Sequence, residues 1–191
     1  MSESNWPDEK QELSDGTVFL RTWQFDDVQR LWEICRDPDV QRWVGIPVPY
    51  GLEDANNFIT KLAVEEWGEQ TGVHFAIVDA TSGAIAGCCG ATLNDSASKV
   101  AEAGYYCAPE WRNRGLTRRA LSLLSSWILE TLKWERVEVL IETENLGSSR
   151  VALGAGYELE GALKRKSLFC GEQRDMAIYV MVHPPSSTVN R

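Results

Sequence analysis

The amino-acid sequence predicts an α/β (or α+β) domain in which helices cover one layer of β-sheet. Short runs of alternating apolar residues recur along the chain, and amphipathic helical segments are inserted between them at intervals. The length of 191 residues, 43% of them apolar, suits one domain with a sizeable core. We expect this domain to span residues 16–182, between a flexible acidic segment at 1–15 and a disordered tail at 183–191.

The first half of the domain is expected to contain one strand, two helices and a hairpin. Asp26 and Asp27 open the first helix, which ends before Pro38, and prolines and a glycine make IPVPYG a loop. Thr81-Ser82-Gly83 forms the hairpin turn. The predicted ranges are a strand at 18–23, a helix after Asp27, a helix at 53–67, and strands at 73–79 and 84–93.

The second half is expected to supply four more strands and two helices. The long helix is well supported, because its apolar residues recur at helical spacing from Leu116 onward. Gly154 and Gly156 suit the end of the shorter helix. The predicted ranges are a strand at 100–108, a helix at 116–132, a strand at 137–141, a helix at 148–153, and strands at 159–169 and 174–181.

Composition excludes several classes of function. The formal net charge of -9 disfavours nucleic-acid binding as the main task and could attract cationic amines. The N-terminus lacks the pattern of a signal peptide, and no apolar run approaches the roughly 20 residues of a membrane span. Five cysteines without CxxC spacing and two distant histidines indicate neither a disulfide framework nor a metal site. We therefore expect a cytoplasmic protein without a metal or a membrane partner.

One turn concentrates positive charge. Residues 112–119 carry four arginines around Gly115, where the long helix is expected to begin. A helix start offers unpaired N–H groups and a partial positive charge, and arginine forks suit phosphate oxygens. The alternative is a basic cluster that only solvates a helix end, although arginines there oppose the helix dipole. Neither GxxxxGK(S/T) nor GxGxxG is present, so the spacing leaves the anion unidentified.

The segment from Tyr105 to Thr117 resembles the acetyl-CoA signature of the GNAT superfamily of N-acyltransferases, Gln/Arg-x-x-Gly-x-Gly/Ala. Arg112 and Gly115 fit the signature, whereas Thr117 replaces the usual small residue. Further segments resemble the RimJ/RimL-like branch, which acetylates N-terminal amines of ribosomal proteins among other substrates. In chain order they are LRTW, Asp37-Pro38, IPVPYGLEDANNFI, Asn145 to Ala152, Gly156 to Gly161, and Arg174 to Tyr179, so the resemblance covers about residues 16–182.

The resemblance implies the GNAT fold, a mixed and mostly antiparallel sheet of about seven strands that splays open between strands 4 and 5. Acetyl-CoA, as acyl donor, would enter this gap, with its diphosphate on the turn and its pantetheine arm along strand 4. The residues implied to bind it are Tyr106, Cys107, Arg112, Asn113, Arg114, Gly115, Leu116, Thr117, Asn145 and Ser148. Trp43 and Tyr50 fall in the family's acceptor-side loop.

Candidate catalytic residues are Glu102 and Ser148. Glu102, on strand 4, is a base candidate, and the alternative is an exposed surface carboxylate. Ser148 is implied to contact the leaving sulfur, since Ala152 occupies the place of the tyrosine used by many relatives; the alternative is a helix N-cap. His74 on an alternating strand suits a structural role better than a base. Cys107 has no histidine near it in sequence, which favours direct transfer over a covalent acetyl-enzyme.

These expectations combine into an acetyl-CoA-dependent N-acetyltransferase acting on a primary amine. An N-terminal α-amine is easier to deprotonate than a lysine side chain, because its pKa is near 7.8 instead of about 10.4. The alternative function is a non-catalytic acyl-CoA-binding or sensing module. The partners expected are an amine-bearing acceptor and, at most, a second copy of the chain, so the protein is a monomer or homodimer.

Overall fold

The computed structural model describes residues 5–7, 11–169 and 171–183. Its centre is one sheet of eight strands in the order β1-β2-β3-β4-β5-β6-β8-β7. The strands are β1 (Leu13–Ser14), β2 (Val18–Thr22), β3 (Gly72–Asp79), β4 (Ile85–Asp95), β5 (Val100–Cys107), β6 (Arg136–Glu142), β7 (Glu158–Phe169) and β8 (Glu172–Val182). The seven predicted strands are all present, and β1 is the addition.

Helices follow the predicted order with one addition. They are α1 (Val28–Cys35), α2 (Pro38–Trp43), α3 (Leu52–Asn57), α4 (Ala63–Glu69), α5 (Leu116–Ser126) and α6 (Leu146–Gly154). A π-helical segment, Phe58–Leu62, joins α3 to α4, so the predicted helix at 53–67 is continuous. Another, Trp127–Thr131, extends α5 to the predicted end of the long helix. Short 3-10 turns precede α1 and α5, at Phe25–Asp27 and Pro109–Trp111.

Strand pairing opens the sheet in the middle. β5 and β6 are parallel and pair only from Val100↔Arg136 to Glu102↔Glu138. Beyond Glu102, β5 stays paired with β4 and β6 stays paired with β8, both antiparallel. The fourth and fifth predicted strands correspond to β5 and β6 of the structure. The predicted splay between them is therefore confirmed.

Both faces of the central strands are buried, which explains their apolar content. One face of β3 packs Phe75 and Ile77 with Leu121 and Ile128 of the long helix. The other face packs against α1 and α3 in a second cluster. Members of this cluster include Leu31, Ile34, Ala55, Ala76 and Val78. Since side chains alternate along a strand, the two clusters hold α5 on one side of the sheet and α1 and α3 on the other.

Pro38 begins a helix where the sequence analysis expected one to end. It occupies the first turn of α2, and Asp37 caps that helix by accepting from the Val40 N–H at 3.1 Å. Proline suits the first helical turn because its missing N–H has no partner there anyway. α1 does end before Pro38, as predicted, but α2 follows at once and was not anticipated.

Residues 1–15 were predicted to form a flexible segment, but some of them contact the domain. Leu13–Ser14 pairs with β2, and the Trp6 ring lies 4.9 Å from that of Trp67, centroid to centroid. The domain boundary at residue 16 remains a prediction. Of the predicted tail, residues 184–191 lie outside the described part of the chain.

Candidate active site

The parted strands enclose a cleft of about 680 Å³. Its walls come from β5, β6, β7, β8, α2 with the two residues after it, and the starts of α5 and α6. Nine predicted site residues line it together: Trp43, Glu102, Tyr106, Cys107, Arg112, Asn113, Thr117, Asn145 and Ser148. Arg114, Gly115 and Leu116 lie in the turn at one end of the cleft and are not among its lining residues.

The open edge of β5 presents backbone donors to this cleft. Ala108 N–H donates to Ala86 C=O at 2.8 Å, and the register pairs Tyr106 with Cys88. Bonding alternates along antiparallel strands, so the Tyr106 N–H faces β4 while those of Tyr105 and Cys107 face the gap. The family resemblance implies that Tyr106 and Cys107 bind acetyl-CoA. The register instead assigns the N–H groups that face the gap to Tyr105 and Cys107.

The turn into α5 is shaped to expose its N–H groups. Asn113 and Gly115 both adopt positive φ, 61° and 77°. The first N–H of the helix that bonds back into the chain is that of Arg119, to Gly115 C=O at 3.2 Å. The N–H groups just before it have no helical acceptor, and the helix dipole adds positive potential. Leu116 is buried at 4% exposure and anchors the helix start in the core.

Two arginines of the turn bind groups on other parts of the site. The Arg112 guanidinium pairs with Asp37, the N-cap of α2, and with Asp39 in the first turn of that helix. The Arg114 guanidinium carbon lies 4.6 Å from the centre of the Trp111 ring. The expected direct contacts of both guanidinium groups with phosphate remain predictions, and Arg112 is held by carboxylates in this structure.

The other two arginines pack on neighbouring elements. Arg119 Nη1 lies 2.7 Å from Asp15 Oδ2. Arg118 approaches α6 so closely that a Cβ on Gly154 would lie 2.8 Å from its Cδ. Positive charge at this helix start is therefore partly balanced by acidic residues from distant parts of the chain.

Glu102 marks the point where the strands part. It is the last β5 residue paired with β6, and its partner is another carboxylate, Glu138. Glu102 is exposed to solvent, although neighbouring residues reduce the hydration of its carboxylate. This desolvation and the charge of Glu138 raise the Glu102 pKa, and Lys166 opposes the shift. A carboxylate with a raised pKa is a better proton acceptor at neutral pH.

Ser148 pairs with Tyr105 across the cleft. The Ser148 hydroxyl donates to the Tyr105 oxygen at 2.9 Å, and the Tyr105 hydroxyl donates to Ser148 C=O at 2.8 Å. Burial raises the Tyr105 pKa above its ordinary value, with a smaller opposing effect from Ser148. Tyr105 lies in the segment that resembles the acetyl-CoA signature, but the sequence alone assigned it no role. Its only sequence signal was strand alternation, which puts it on the opposite face from Tyr106.

Asn145 caps α6, a role that the sequence analysis offered as the alternative for Ser148. The Asn145 side chain accepts from the Ser148 N–H at 3.0 Å. Ser148 is thus the third residue of the helix and leaves its hydroxyl free for Tyr105. The capping interpretation of Ser148 is wrong, because the helix begins at Leu146 and not at Ser148.

Tyr50 lies outside the cleft. It is 6% exposed and packs in the second core cluster beside Cys35. The Tyr106 ring points the same way, with its hydroxyl 3.7 Å from Cys35 Sγ. The predicted substrate role of Tyr50 therefore gains no support from its position, whereas Trp43 lines the cleft.

Cys107 and His74 have surroundings that suit structural roles. Burial raises the Cys107 pKa, and a hydrogen bond with Thr117 only partly offsets this, so its reactive thiolate is disfavoured. His74 Nε2 lies 2.7 Å from Glu66 Oε2 between β3 and α4, away from the cleft lining. In the described residues we found no group of three or more potential metal ligands.

Comparisons with known proteins identify the fold and the family. The family described as the acetyltransferase (GNAT) domain matches residues 17–158. An uncharacterized N-acetyltransferase of Bacillus subtilis (strain 168), YoaA, is 25% identical over 173 residues, which cover 90% of this chain and 97% of YoaA. No helix of the described chain is long and apolar enough to cross a membrane.

Two solved structures share the fold over nearly their whole length. Mycobacterium smegmatis RimJ, solved in complex with CoA-disulfide, superposes with a TM-score of 0.80 at 21% identity, covering 94% of this chain and 89% of RimJ. A ribosomal-protein-S5-alanine acetyltransferase from Vibrio fischeri gives 0.78 at 17% identity, covering 90% and 96%. The family match, which includes the turn at 112–117 and β5, makes this chain a member of the GNAT acetyltransferase family.

Proposed function

We propose that this acetyltransferase moves the acetyl group of acetyl-CoA onto a primary amine by direct attack in a ternary complex. The acceptor is the N-terminal α-amine of a protein or the amine of a small molecule. One observation carries the proposal: a single cleft joins the turn at 113–118, whose N–H groups lack helical acceptors, to Glu102, a carboxylate of raised pKa where β5 and β6 part.

The donor side of the cleft fits acetyl-CoA, which supplies an activated acyl group when bound. The exposed N–H groups of residues 113–118 suit its diphosphate. The N–H groups of Tyr105 and Cys107 suit the pantetheine arm and the thioester carbonyl. A preorganised backbone donor of this kind stabilises charge that develops on oxygen, and removing one such donor typically costs about 3–4 kcal/mol. Asn145 also lines the cleft.

The acceptor side fits a cation that must lose a proton. Asp39, Glu102 and Glu142 all line the cleft, and the chain carries a net charge of -9. Deprotonation at pH 7 costs about 1 kcal/mol for an α-amine and about 4.6 kcal/mol for a lysine side chain. The α-amine is therefore the easier substrate. The Vibrio fischeri fold neighbour, whose name states that it acetylates an alanine of a ribosomal protein, supports a protein acceptor.

Chain residues divide the remaining steps among them. Glu102 accepts the amine proton, directly or through water. The Ser148 hydroxyl, which donates to the Tyr105 oxygen in this structure, turns to donate its hydrogen bond to the departing sulfur. The partly buried Cys107, whose raised pKa disfavours the thiolate, takes no covalent part. A monomeric or homodimeric cytoplasmic enzyme that uses no metal and binds neither nucleic acid nor membrane remains our expectation.

The experiment incubates the protein with acetyl-CoA and a panel of amines and follows the release of free thiol. The panel contains peptides with free N-termini, the same peptides with blocked N-termini but a free lysine, and small amines. We expect thiol release that requires an amine, fastest with free α-amines, and acetylated products by mass spectrometry. Tight binding of acetyl-CoA without amine-dependent release would support the sensing module and contradict the proposal.

A further inference from the structure

Arg112 is held by carboxylates although it lies in the signature for the donor. Its Nη1 donates to Asp39 Oδ2 at 2.8 Å, and its Nη2 donates to Asp37 Oδ1. The side chains of Arg112 and Asp37 are only 31% and 13% exposed. Both terminal nitrogens of the guanidinium are thus engaged by α2. A phosphate bound by the same fork would have to face two carboxylates or displace them.

Asp37 has a second task that makes this contact structural for α2. The Oδ1 atom that binds Arg112 also accepts from the Val40 N–H at 3.1 Å and so caps the helix. A helix of six residues is not stable by itself in water, so its position depends on tertiary contacts. Among those contacts are the buried Val40 side chain and a bond from Gln41 Nε2 to Cys35 C=O at 3.1 Å.

The far end of α2 forms the acceptor-side wall of the cleft. Trp43, Val44 and Gly45 line it there. The polar contact near this end, Arg42 Nη2 to Glu144 Oε2 at 3.6 Å, joins two well-exposed side chains. Exposed pairs of this kind hold a helix weakly. The less exposed Arg112 pair is therefore the stronger polar link between the donor turn and this wall.

We propose that Arg112 is a positioning residue, which fixes α2 and thereby Trp43 against the donor turn. Its side chain serves the amine side of the reaction, while the backbone of residues 113–118 serves the diphosphate. The inference rests on the proposed function of the cleft. It changes the role implied for Arg112 by the family signature from phosphate contact to the placement of the acceptor wall.

Two variants remove the link in different ways. Arg112→Gln removes the cation, and Asp37→Asn removes its partner charge while keeping a residue that caps helices equally well. Each should raise the amine KM or lower kcat by roughly tenfold, because misplaced reacting groups lose rate, while the acetyl-CoA Kd changes by less than about twofold. The double variant should be no worse than either single one, since both remove one interaction. Arg112→Lys should recover part of the loss.

Arg119→Gln is the matched control, because this arginine lies in the same arginine-rich segment but pairs with Asp15 and contacts neither Asp37 nor Asp39. It should leave the amine KM unchanged. If Arg112→Gln instead weakens acetyl-CoA binding tenfold or more with an unaltered amine KM, the positioning role is overturned.

Amide hydrogen exchange in α2 gives a readout that needs no activity. Residues 40–44 should exchange faster in Arg112→Gln and Asp37→Asn and remain unchanged in Arg119→Gln. Unchanged exchange in all three variants would overturn the inference. If the wild-type protein shows no amine-dependent turnover, the proposed function fails, and the exchange result still decides whether Arg112 holds α2.

Discussion

At the scale of the residue, Glu102 shows how position raises the pKa of an ordinary carboxylate. Glu102 is exposed on its strand, yet its pKa lies above the usual value for a glutamate. Here the end of the β5–β6 pairing brings Glu138 alongside and reduces hydration, and both effects raise the Glu102 pKa. The sequence placed Glu102 on the correct strand. It could not show Glu138 opposite, because that pairing joins residues 36 positions apart in the parallel register.

Replacing Glu102 with glutamine should lower kcat by about 10²- to 10⁴-fold, the usual contribution of a general base. The acetyl-CoA Kd should stay the same. A raised pKa means that Glu102 ionises only at higher pH than a free glutamate, so wild-type kcat should fall as pH drops through that raised value. This acid limb should disappear in Glu102→Gln.

The amine itself also loses activity at low pH, and the two causes can be separated. A limb due to the amine shifts when the acceptor is exchanged for one of different pKa, whereas the Glu102 limb does not. Glu69→Gln, an exposed change on α4, is the control. An unchanged kcat in Glu102→Gln would leave water or another group as the base.

Tyr105 and Ser148 form the second residue pair of the site. Tyr105→Phe should lower kcat only several-fold, because a thiol with a pKa near 8.5 leaves without much assistance. It should also cost about 1 kcal/mol of unfolding free energy, through the lost hydrogen bonds to Ser148. Because burial raises the Tyr105 pKa, its phenol stays protonated up to about pH 10 and adds no basic limb below that pH.

The test compares Tyr105→Phe, Ser148→Ala and the double variant by steady-state kinetics and urea unfolding. The double variant should be close to the worse single variant. Fully additive losses in kcat would show that Tyr105 and Ser148 act independently.

At the scale of the element, much of the site is formed by residues at the starts of helices. The turn into α5 exposes donors, Asp37 starts α2, and Asn145 starts α6. Each depends on local backbone chemistry: positive φ at Gly115, proline in the first turn of α2, and a side-chain cap at Asn145. Such signals are readable from sequence. Pro38 was interpreted as a stop because the same residue suits the position after one helix and the first turn of another.

Asn145→Ala should lower the free energy of unfolding by about 1 kcal/mol through loss of the cap on the Ser148 N–H. For a chain of this size, that corresponds to a fall in Tm of about 2–4 °C. The acetyl-CoA Kd should also rise, since α6 forms one wall of the cleft. Differential scanning calorimetry and titration calorimetry measure the two effects.

Asn145→Asp separates capping from ligand contact. Aspartate caps as well as asparagine but lacks the amide hydrogens. Asn145→Asp should leave the Tm unchanged. If the asparagine amide binds the pantetheine arm, this variant should still weaken the binding of acetyl-CoA. A fall in Tm as large as that of Asn145→Ala would show that the cap is not what stabilises α6.

At the scale of the whole molecule, local patterns account for the strands and helices but not for their partners. Alternation predicted the seven long strands, and helical spacing predicted the long helix. The cleft itself depends on which strands pair and where pairing stops, a property of contacts between distant parts of the chain. The carboxylates that hold Arg112 lie 73 and 75 positions away, so local charge counting could not assign that arginine. The splay came from the family resemblance, not from periodicity.

The central claim is that one cleft between β5 and β6 holds the donor, with its diphosphate on the backbone of the turn into α5. Amide hydrogen exchange with and without acetyl-CoA tests it most directly. We expect slower exchange at residues 113–118 and at Tyr105 and Cys107. Protection confined to other parts of the chain, with these amides unchanged, would contradict it.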